Sequence, residues 1–260
     1  MKKIFIIIGV ALFFTSCIPT KDLTYFQGEP VNKNKIHQLQ SKPYKLQIND
    51  IVDIKIKAAD ESLVSMFKVQ ENATNSNTVN ASSLYFNSYS VDRKGMIRIP
   101  YLGELNVLGY STKDVRVKIE NELGKMFKNM NDVFVTVKLA GIRYTILGEI
   151  GSPGTKILYQ NQVNIIEAIA NSGDIVLTGD RKNIEILRTD IAGVTKYKLD
   201  LTGFDFMDSE AFFIQPNDII YVKPLKEKSW GTGQTGTKTM STIITALSLL
   251  TTSIILINRL

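Results

Sequence analysis

Few side chains in this 260-residue chain are suited to covalent or acid–base chemistry, and their placement narrows what that chemistry can be. Cys17 is the sole thiol. It follows Thr15-Ser16, the apolar run Ile4–Phe14 and the charged pair Lys2-Lys3. A positive start, an apolar core and a small-residue exit in that order mark a secretory signal over residues 1–16. The apolar run is too short to span a bilayer comfortably. In an oxidising compartment a single cysteine has no disulfide partner, so the chemistry left to it is modification of the sulfur. His37 is the only histidine, which removes His-based triads and multi-histidine metal sites. Asp50 and Asp218 could be paired as acid and base, but each follows an asparagine in a repeated turn-like motif, and a structural role is the stronger reading. No phosphate loop, dinucleotide fingerprint or nucleic-acid motif is present. The chain is therefore read as a non-enzyme with no cofactor and no metal. Its formal charge of +6 falls to +4 when Lys2 and Lys3 leave with the signal, an excess that neither demands nucleic acid nor excludes an acidic polymer.

The elements around these residues form two modules between two apolar chain ends. Residues 17–42 are polar and read as a tether leading from the N-terminus. From Tyr44 onward, apolar and polar residues alternate through Leu46 and Ile48, and again through Ile51–Lys57, the period of half-buried strands. Asn49-Asp50 between them marks a corner, because both residue types tolerate the left-handed backbone region and bond locally. The same device returns at Pro216-Asn217-Asp218, ahead of Ile219–Val222. Residues 70–83, rich in asparagine and small polar residues, read as a solvated loop. Ser88–Val91 and Met96–Ile99 fit a hairpin turning at Asp92–Gly95, with Gly95 at a positive φ. Pro100 and Gly103 punctuate the next turn. Thr112 is a plausible N-cap for a helix whose stripe is Val115, Ile119, Leu123, Met126 and Phe127. Alternating Val133–Leu139 closes the first module.

The second module starts in a strand at Tyr144 that runs into Gly148-Glu149 and Pro153-Gly154. A short helix over Asn164–Ala170, ended by Gly173, precedes strands at Ile184–Arg188, Tyr197–Leu201 and Ile219–Val222. Both modules are compact sheets with one covering helix, so the class is α+β: two small β-rich domains, over 43–140 and 141–225. A linker over 226–238, loosened by Gly231, Gly233 and Gly236, leads to a C-terminal membrane helix over 239–260.

That tail holds eleven strongly apolar residues counting Met240, and about 20 helical residues span roughly one hydrocarbon thickness. Its hydroxyl residues are not scattered. At about 100° per residue, Ser241, Thr245, Ser248, Thr252 and Arg259 fall within a sector of roughly 60°. Read from the helix alone, a plain single-pass anchor and an amphipathic helix both remain open.

Tyr44-x-Leu46-x-x-Asn49-Asp50, Val91–Gly95 with Ile97, Ile99-Pro100 and Leu102-Gly103, then Gly109–Thr112 and Val133-x-Val135-x-Val137 resemble the polysaccharide-export domain. Leu147-Gly148-Glu149-x-Gly151-x-Pro153-Gly154 through Pro216-Asn217-Asp218-x-Ile220-Tyr221-Val222 resembles the soluble-ligand-binding β-grasp domain that follows it. The chain is thus similar to the Wza-like outer-membrane polysaccharide-export lipoproteins. It departs from them in placing Asn49 and Asn217 where the family commonly has glycine, and in having one β-grasp repeat. Thr15-Ser16-Cys17 resembles a bacterial lipobox, with Phe14 in place of the usual leucine.

The resemblance implies lipid on Cys17, soluble domains in the periplasm, an outer-membrane location and a homo-oligomeric ring, an octamer by family likeness alone. It further implies a passive conduit for capsular or extracellular polysaccharide, with the tail stripe facing the pore, Arg259 at the far mouth and Trp230 near the near interface. An inner-membrane polysaccharide co-polymerase is the implied partner. For Gly148, Glu149, Pro153 and Gly154 the resemblance leaves two roles open, sugar contact and intersubunit packing, and favours packing. The rival reading is a monomeric, membrane-tethered periplasmic carbohydrate-binding protein with an inert C-terminal anchor. Cys17→Ser is expected to block acylation and leave the protein unprocessed or mislocalised, measured by mature mass and membrane fractionation; an unchanged mass and location would remove the lipid anchor.

Overall fold

A computed structural model describes residues 19–28, 43–58, 64–67, 85–127, 129–226 and 236–257. Cys17, the signal, His37, Trp230, Arg259 and the whole of the loop expected over 70–83 lie outside the described residues. The first domain is built on β1 (Ile51–Ala58), flanked by β2 (Tyr89–Ser90) and β5 (Val133–Leu139) in the order β2-β1-β5, all antiparallel. A separate hairpin pairs β3 (Met96–Ile99) with β4 (Gly103–Asn106). Helix α1 (Thr112–Gly124) closes the core by burying Val115, Ile119 and Leu123 against Val52, Ile97 and Val135.

Several expectations change here for physical reasons. Of the hairpin expected from Ser88–Val91 and Met96–Ile99 only the turn forms, closed by Asp92 N donating to Met96 O at 2.9 Å and Gly95 N to Asp92 O at 3.0 Å, with no ladder between β2 and β3 beyond it. The edge of β2 is taken by β1, and the Asp92 carboxylate accepts the Lys94 and Met96 N–H groups, both at 2.8 Å, so side chain replaces ladder. Gly95 does sit at φ 78°, and β3 turns instead through Tyr101 (φ 62°) and Gly103 (φ 80°) after an exposed Pro100. The helix cap is Ser111 rather than Thr112. Ser111 Oγ accepts from Asp114 N at 3.2 Å, while the Asp114 carboxylate accepts from Ser111 N at 3.0 Å, a reciprocal capping box. Met126 and Phe127 lie past the helix end, Met126 exposed and Phe127 packed on Phe67 with ring centroids 6.3 Å apart. Tyr44–Ile48 is not a strand, although Leu46 exchanges backbone hydrogen bonds with Gly109 and Tyr110.

The second domain carries a five-stranded mixed sheet in the order β10-β9-β12-β6-β7. Its strands are β6 (Ile142–Gly148), β7 (Gly154–Leu158), β9 (Gly179–Asp190), β10 (Gly193–Leu199) and β12 (Ile219–Pro224). Only β12 and β6 run parallel; the other neighbours are antiparallel. The short pair β8 (Val163–Asn164) and β11 (Phe213–Ile214) flanks α2 (Ile165–Asn171), which has its own capping box from Asn164 and Glu167. Ile146, Ile186 and Ile220 from three adjacent strands pack with Ile165 and Ala168 of α2.

The tether reading fails for residues 19–28, which are docked on the second domain. Phe26 N donates to Leu201 O at 3.3 Å, Gln27 N to Thr202 O at 2.5 Å, and Lys182 pairs with Asp22 at 2.6 Å. The Phe26 ring packs on Phe204 and Phe206, centroids about 6 Å away. Tyr25 lies over the buried Arg181 guanidinium at 5.1 Å and donates to Asp174 Oδ1 at 2.5 Å. Arg181 Nη2 donates to Ile175 O, but its Nε and Nη1 are buried without an acceptor among the described residues, so the Tyr25 ring face covers a cation that little else satisfies. At the other end, helix α3 runs Gly236–Ile257, beginning inside the expected linker.

The strand order explains the corners. Asn49-Asp50 feeds β1, the centre of the first sheet, and Asn217-Asp218 feeds β12, the centre of the second. Asn49 has φ 69° and Asn217 φ 66°. In both, the Asp N–H reaches back to the glutamine three residues earlier at 3.2 Å, the pattern of a type II turn with Ile48 or the buried Pro216 at its second position. Asn217→Val and Asn49→Val should each lower stability by about 1–3 kcal/mol, while Asn→Gly changes it by a few tenths. Urea unfolding of the purified variants checks this; equal effects of Val and Gly would remove the backbone argument.

Candidate functional site

Asp50 and Asp218 share one local device and differ in what completes it. Asp50 Oδ2 accepts from Gln47 N at 2.8 Å and from the Tyr44 hydroxyl at 2.7 Å. Asp218 Oδ2 accepts from Gln215 N at 2.8 Å, and the Arg188 guanidinium grips the carboxylate in a two-pronged bond at 2.7 and 3.1 Å. Arg188 also donates to the Glu210 and Phe213 carbonyls. Both aspartates are nearly sealed from solvent, 3% and 1% exposed. Burial pushes the Asp50 carboxyl up to about 6 against the two hydrogen bonds, and pushes Tyr44 up as well. Asp218 is also raised by burial, with Arg188 and the Gln215 N–H pulling it back. Each carboxylate is committed to its own turn, which leaves neither facing a substrate.

The second domain's glycine motifs are likewise tied into packing. Gly148 has φ 93°, and a Cβ there would lie 2.0 Å from the Val222 carbonyl oxygen. Glu149 N donates to that same carbonyl at 3.0 Å, and its carboxylate accepts from Thr178 Oγ1. This corner holds β6 against β12 and onto the start of β9. Pro153 is exposed, and Gly154 (φ 130°) has open space where a side chain would go. Gly148 and Pro153 are exposed, while Glu149 and Gly154 are half-buried.

On α3 the hydroxyls turn back onto the helix. Thr245 Oγ1 donates to Ser241 O at 2.7 Å, Ser248 Oγ to Thr245 O at 2.9 Å, and Thr252 Oγ1 to Ser248 O at 2.7 Å. Thr251, outside the stripe, donates to the Leu247 and Ser248 carbonyls at 3.0 Å. Donors are thereby spent and oxygen lone pairs left outward. Ile244, Leu249 and Leu250 on other faces are exposed. Among the described residues, no helix is long and apolar enough to cross a membrane. Nor do those residues hold a cluster of three or more His, Cys, Asp or Glu suited to a metal.

The model of the polysaccharide biosynthesis/export protein family matches residues 38–140, and that of the SLBB domain matches residues 143–222. The chain thus carries a polysaccharide-export domain followed by an SLBB domain. It is similar to the EPS I polysaccharide export outer membrane protein EpsA of Ralstonia solanacearum, 28% identical over 153 residues, 56% of this chain and 39% of the relative. The protein of the same name from Ralstonia nicotianae is 25% identical over 153 residues, 57% of this chain and again 39% of the relative. The match thus spans about two-fifths of those relatives' length. The β-rich pair of domains of mixed α+β content agrees with the fold class expected.

Sequence reasoning missed Tyr44 and Arg188 as the groups that complete the corners. Arg188 was legible: in Ile184-x-Ile186-x-Arg188 it occupies the inward register of a strand, where a cation needs a buried anion. The Asp50 carboxyl, lifted from 3.8 to about 6, makes a pH-dependent contribution. The folded state holds its proton more tightly than the unfolded chain, so the contribution is complete below about pH 4 and is lost as pH rises through about 6. Relative to Asp50→Asn, the wild type should therefore lose about 1–3 kcal/mol between pH 4 and pH 7. Parallel urea titrations at the two pH values measure this; a constant difference would show that Asp50 titrates normally.

Proposed function

We propose that this chain is the outer-membrane subunit of a polysaccharide export translocon. The observation that carries the reading is the order of domains, an export domain followed directly by an SLBB domain over residues 38–222. The named activity of the EpsA relatives, polysaccharide export at the outer membrane, supports it. In this reading Cys17 carries the lipid, the two domains stand in the periplasm, and copies of the chain form a ring around a passive channel. An inner-membrane co-polymerase supplies the polymer, since no nucleotide-binding motif in the sequence offers an energy source.

The tail is the channel lining. Ser241, Thr245, Ser248 and Thr252, with Arg259 beyond them, face the lumen, and the leucine and isoleucine faces meet lipid or a neighbouring helix. Hydroxyls already bonded to the helix backbone offer acceptors to water and sugar hydroxyls without gripping either, which suits a polymer that must keep moving. The same back-bonds lower the cost of turning a hydroxyl toward lipid, so the single-pass anchor is the competing arrangement.

Single cysteines along α3, in the presence of native Cys17, separate the two. In a ring, positions 241, 245, 248 and 252 react with a membrane-impermeant thiol reagent and positions 247, 250 and 254 do not. Ser248→Leu or Thr252→Leu should cut surface polysaccharide several-fold while membrane insertion is kept. Uniform protection together with full export by the Leu variants, or a monomeric mass in detergent, would favour the tethered carbohydrate-binding protein with an inert anchor.

A further inference from the structure

Only two residues, Ala140-Gly141, join β5 to β6. Beside this link opens a cleft of about 650 Å³ lined by Asp53, Lys138 and Leu139 from the first domain and Tyr159, Gln160 and Asn161 from the second. Asp53 and Lys138 are register partners on β1 and β5, so a carboxylate and an ammonium share one wall. The facing wall is the turn after β7.

Gly141 sets the shape of that facing wall. Its φ is 114°, and a Cβ there would fall 2.9 Å from Ile157 Cγ2 and 3.0 Å from Tyr159 Cδ1. The Tyr159 ring therefore lies against a bare Cα on one side, and the residue remains 55% exposed. Around it much of the hydrogen-bonding capacity is unspent. Asp53 pairs loosely with Lys55, at 3.6 Å, and its charge helps burial to raise the nearby Tyr89 hydroxyl, while Lys138 Nζ, the Tyr159 hydroxyl and the Gln160 and Asn161 amides have no hydrogen-bond partner among the described residues.

A flat apolar ring framed by a carboxylate, an ammonium and two carboxamides selects a particular chemistry. The carboxylate only accepts, the ammonium only donates, and each amide does both. A purely apolar ligand would bury these groups without partners, which is costly. A polyanion would meet Asp53. A pyranose unit answers both demands, since one face of its ring is lined with C–H bonds and its rim carries adjacent hydroxyls that donate and accept.

We propose that this interdomain cleft is a sugar-binding site, with Tyr159 as the platform for a pyranose ring and Asp53, Lys138, Gln160 and Asn161 as the contacts to its hydroxyls. The site deepens the export reading, on which it rests for the source of the sugar, by giving the polymer a contact in the soluble region upstream of the tail. The volume is in the range of small-molecule sites. The cleft is open and wet, so binding is weak, as passage requires.

The test uses the full-length detergent-solubilised protein and oligosaccharides made by partial hydrolysis of the host's extracellular polysaccharide, with affinity measured by titration calorimetry. Tyr159→Ala should weaken binding by about tenfold or more, Asn161→Ala by about threefold, and Tyr159→Phe by less than about threefold, because the phenyl platform survives. Unchanged melting temperatures confirm that the variants are folded. No binding by the wild type, or wild-type affinity in both Tyr159→Ala and Asn161→Ala, overturns the site. Deleting the gene tests the export reading separately: surface polysaccharide that persists after deletion, together with Tyr159-dependent binding, keeps the sugar site and removes the export role.

Discussion

The interaction on which the rest of the architecture depends is small: an aspartate carboxylate accepting the backbone N–H of the glutamine three residues before it. It occurs at Gln47–Asp50 and again at Gln215–Asp218, and in each place the residue between carboxylate and turn is an asparagine held at positive φ. A left-handed non-glycine residue persists only where its surroundings over-determine it. Here they do so directly ahead of the central strand of each sheet. Moving either corner by one residue would turn the inward faces of β1 or β12 outward, because the side-chain period of a strand is two. Tyr44 and Arg188 then decide how firmly each corner is closed, one with a neutral hydroxyl and the other with a guanidinium.

Much of this was legible in the sequence, and the reasons for success and failure are physical. The domain class and most second-domain strands followed from alternation that burial enforces, and the positive φ of Gly95 followed from turn chemistry. The β2–β3 hairpin did not follow, because two adjacent strand-like runs carry no information about which edges pair; the Asp92 carboxylate had already taken the N–H groups that the ladder needed. The helix cap slipped by one residue because Ser111 and Thr112 are both competent caps, and only the acid three residues on, Asp114 rather than Val115, chooses between them. The candidate site was legible in part. Asp50 and Asp218 stood out as a repeated pair, but Tyr44 is six residues away and Arg188 thirty, and no local pattern connects them.

The docked segment 19–28 was invisible for a similar reason. Its residues, taken alone, are polar with isolated aromatics, and nothing in such a stretch announces a partner about 150 to 180 residues away. Phe26 at φ 54° and the Tyr25 hydroxyl on Asp174 acquire meaning only against the surface formed by Arg181 and Phe204–Phe206. The second domain is therefore discontinuous in sequence, made from residues on both sides of the first.

This discontinuity has a mechanical side. Lys182 holds Asp22, and Thr178 O accepts from Leu225 N, so both the incoming and the outgoing chain are fastened to one stretch of five residues at the start of β9. A pull applied between the chain ends is carried across that stretch and the ladder between Gly179 and Pro224, without passing through the first domain. The export domain, joined to its neighbour through Ala140-Gly141, lies outside that load path.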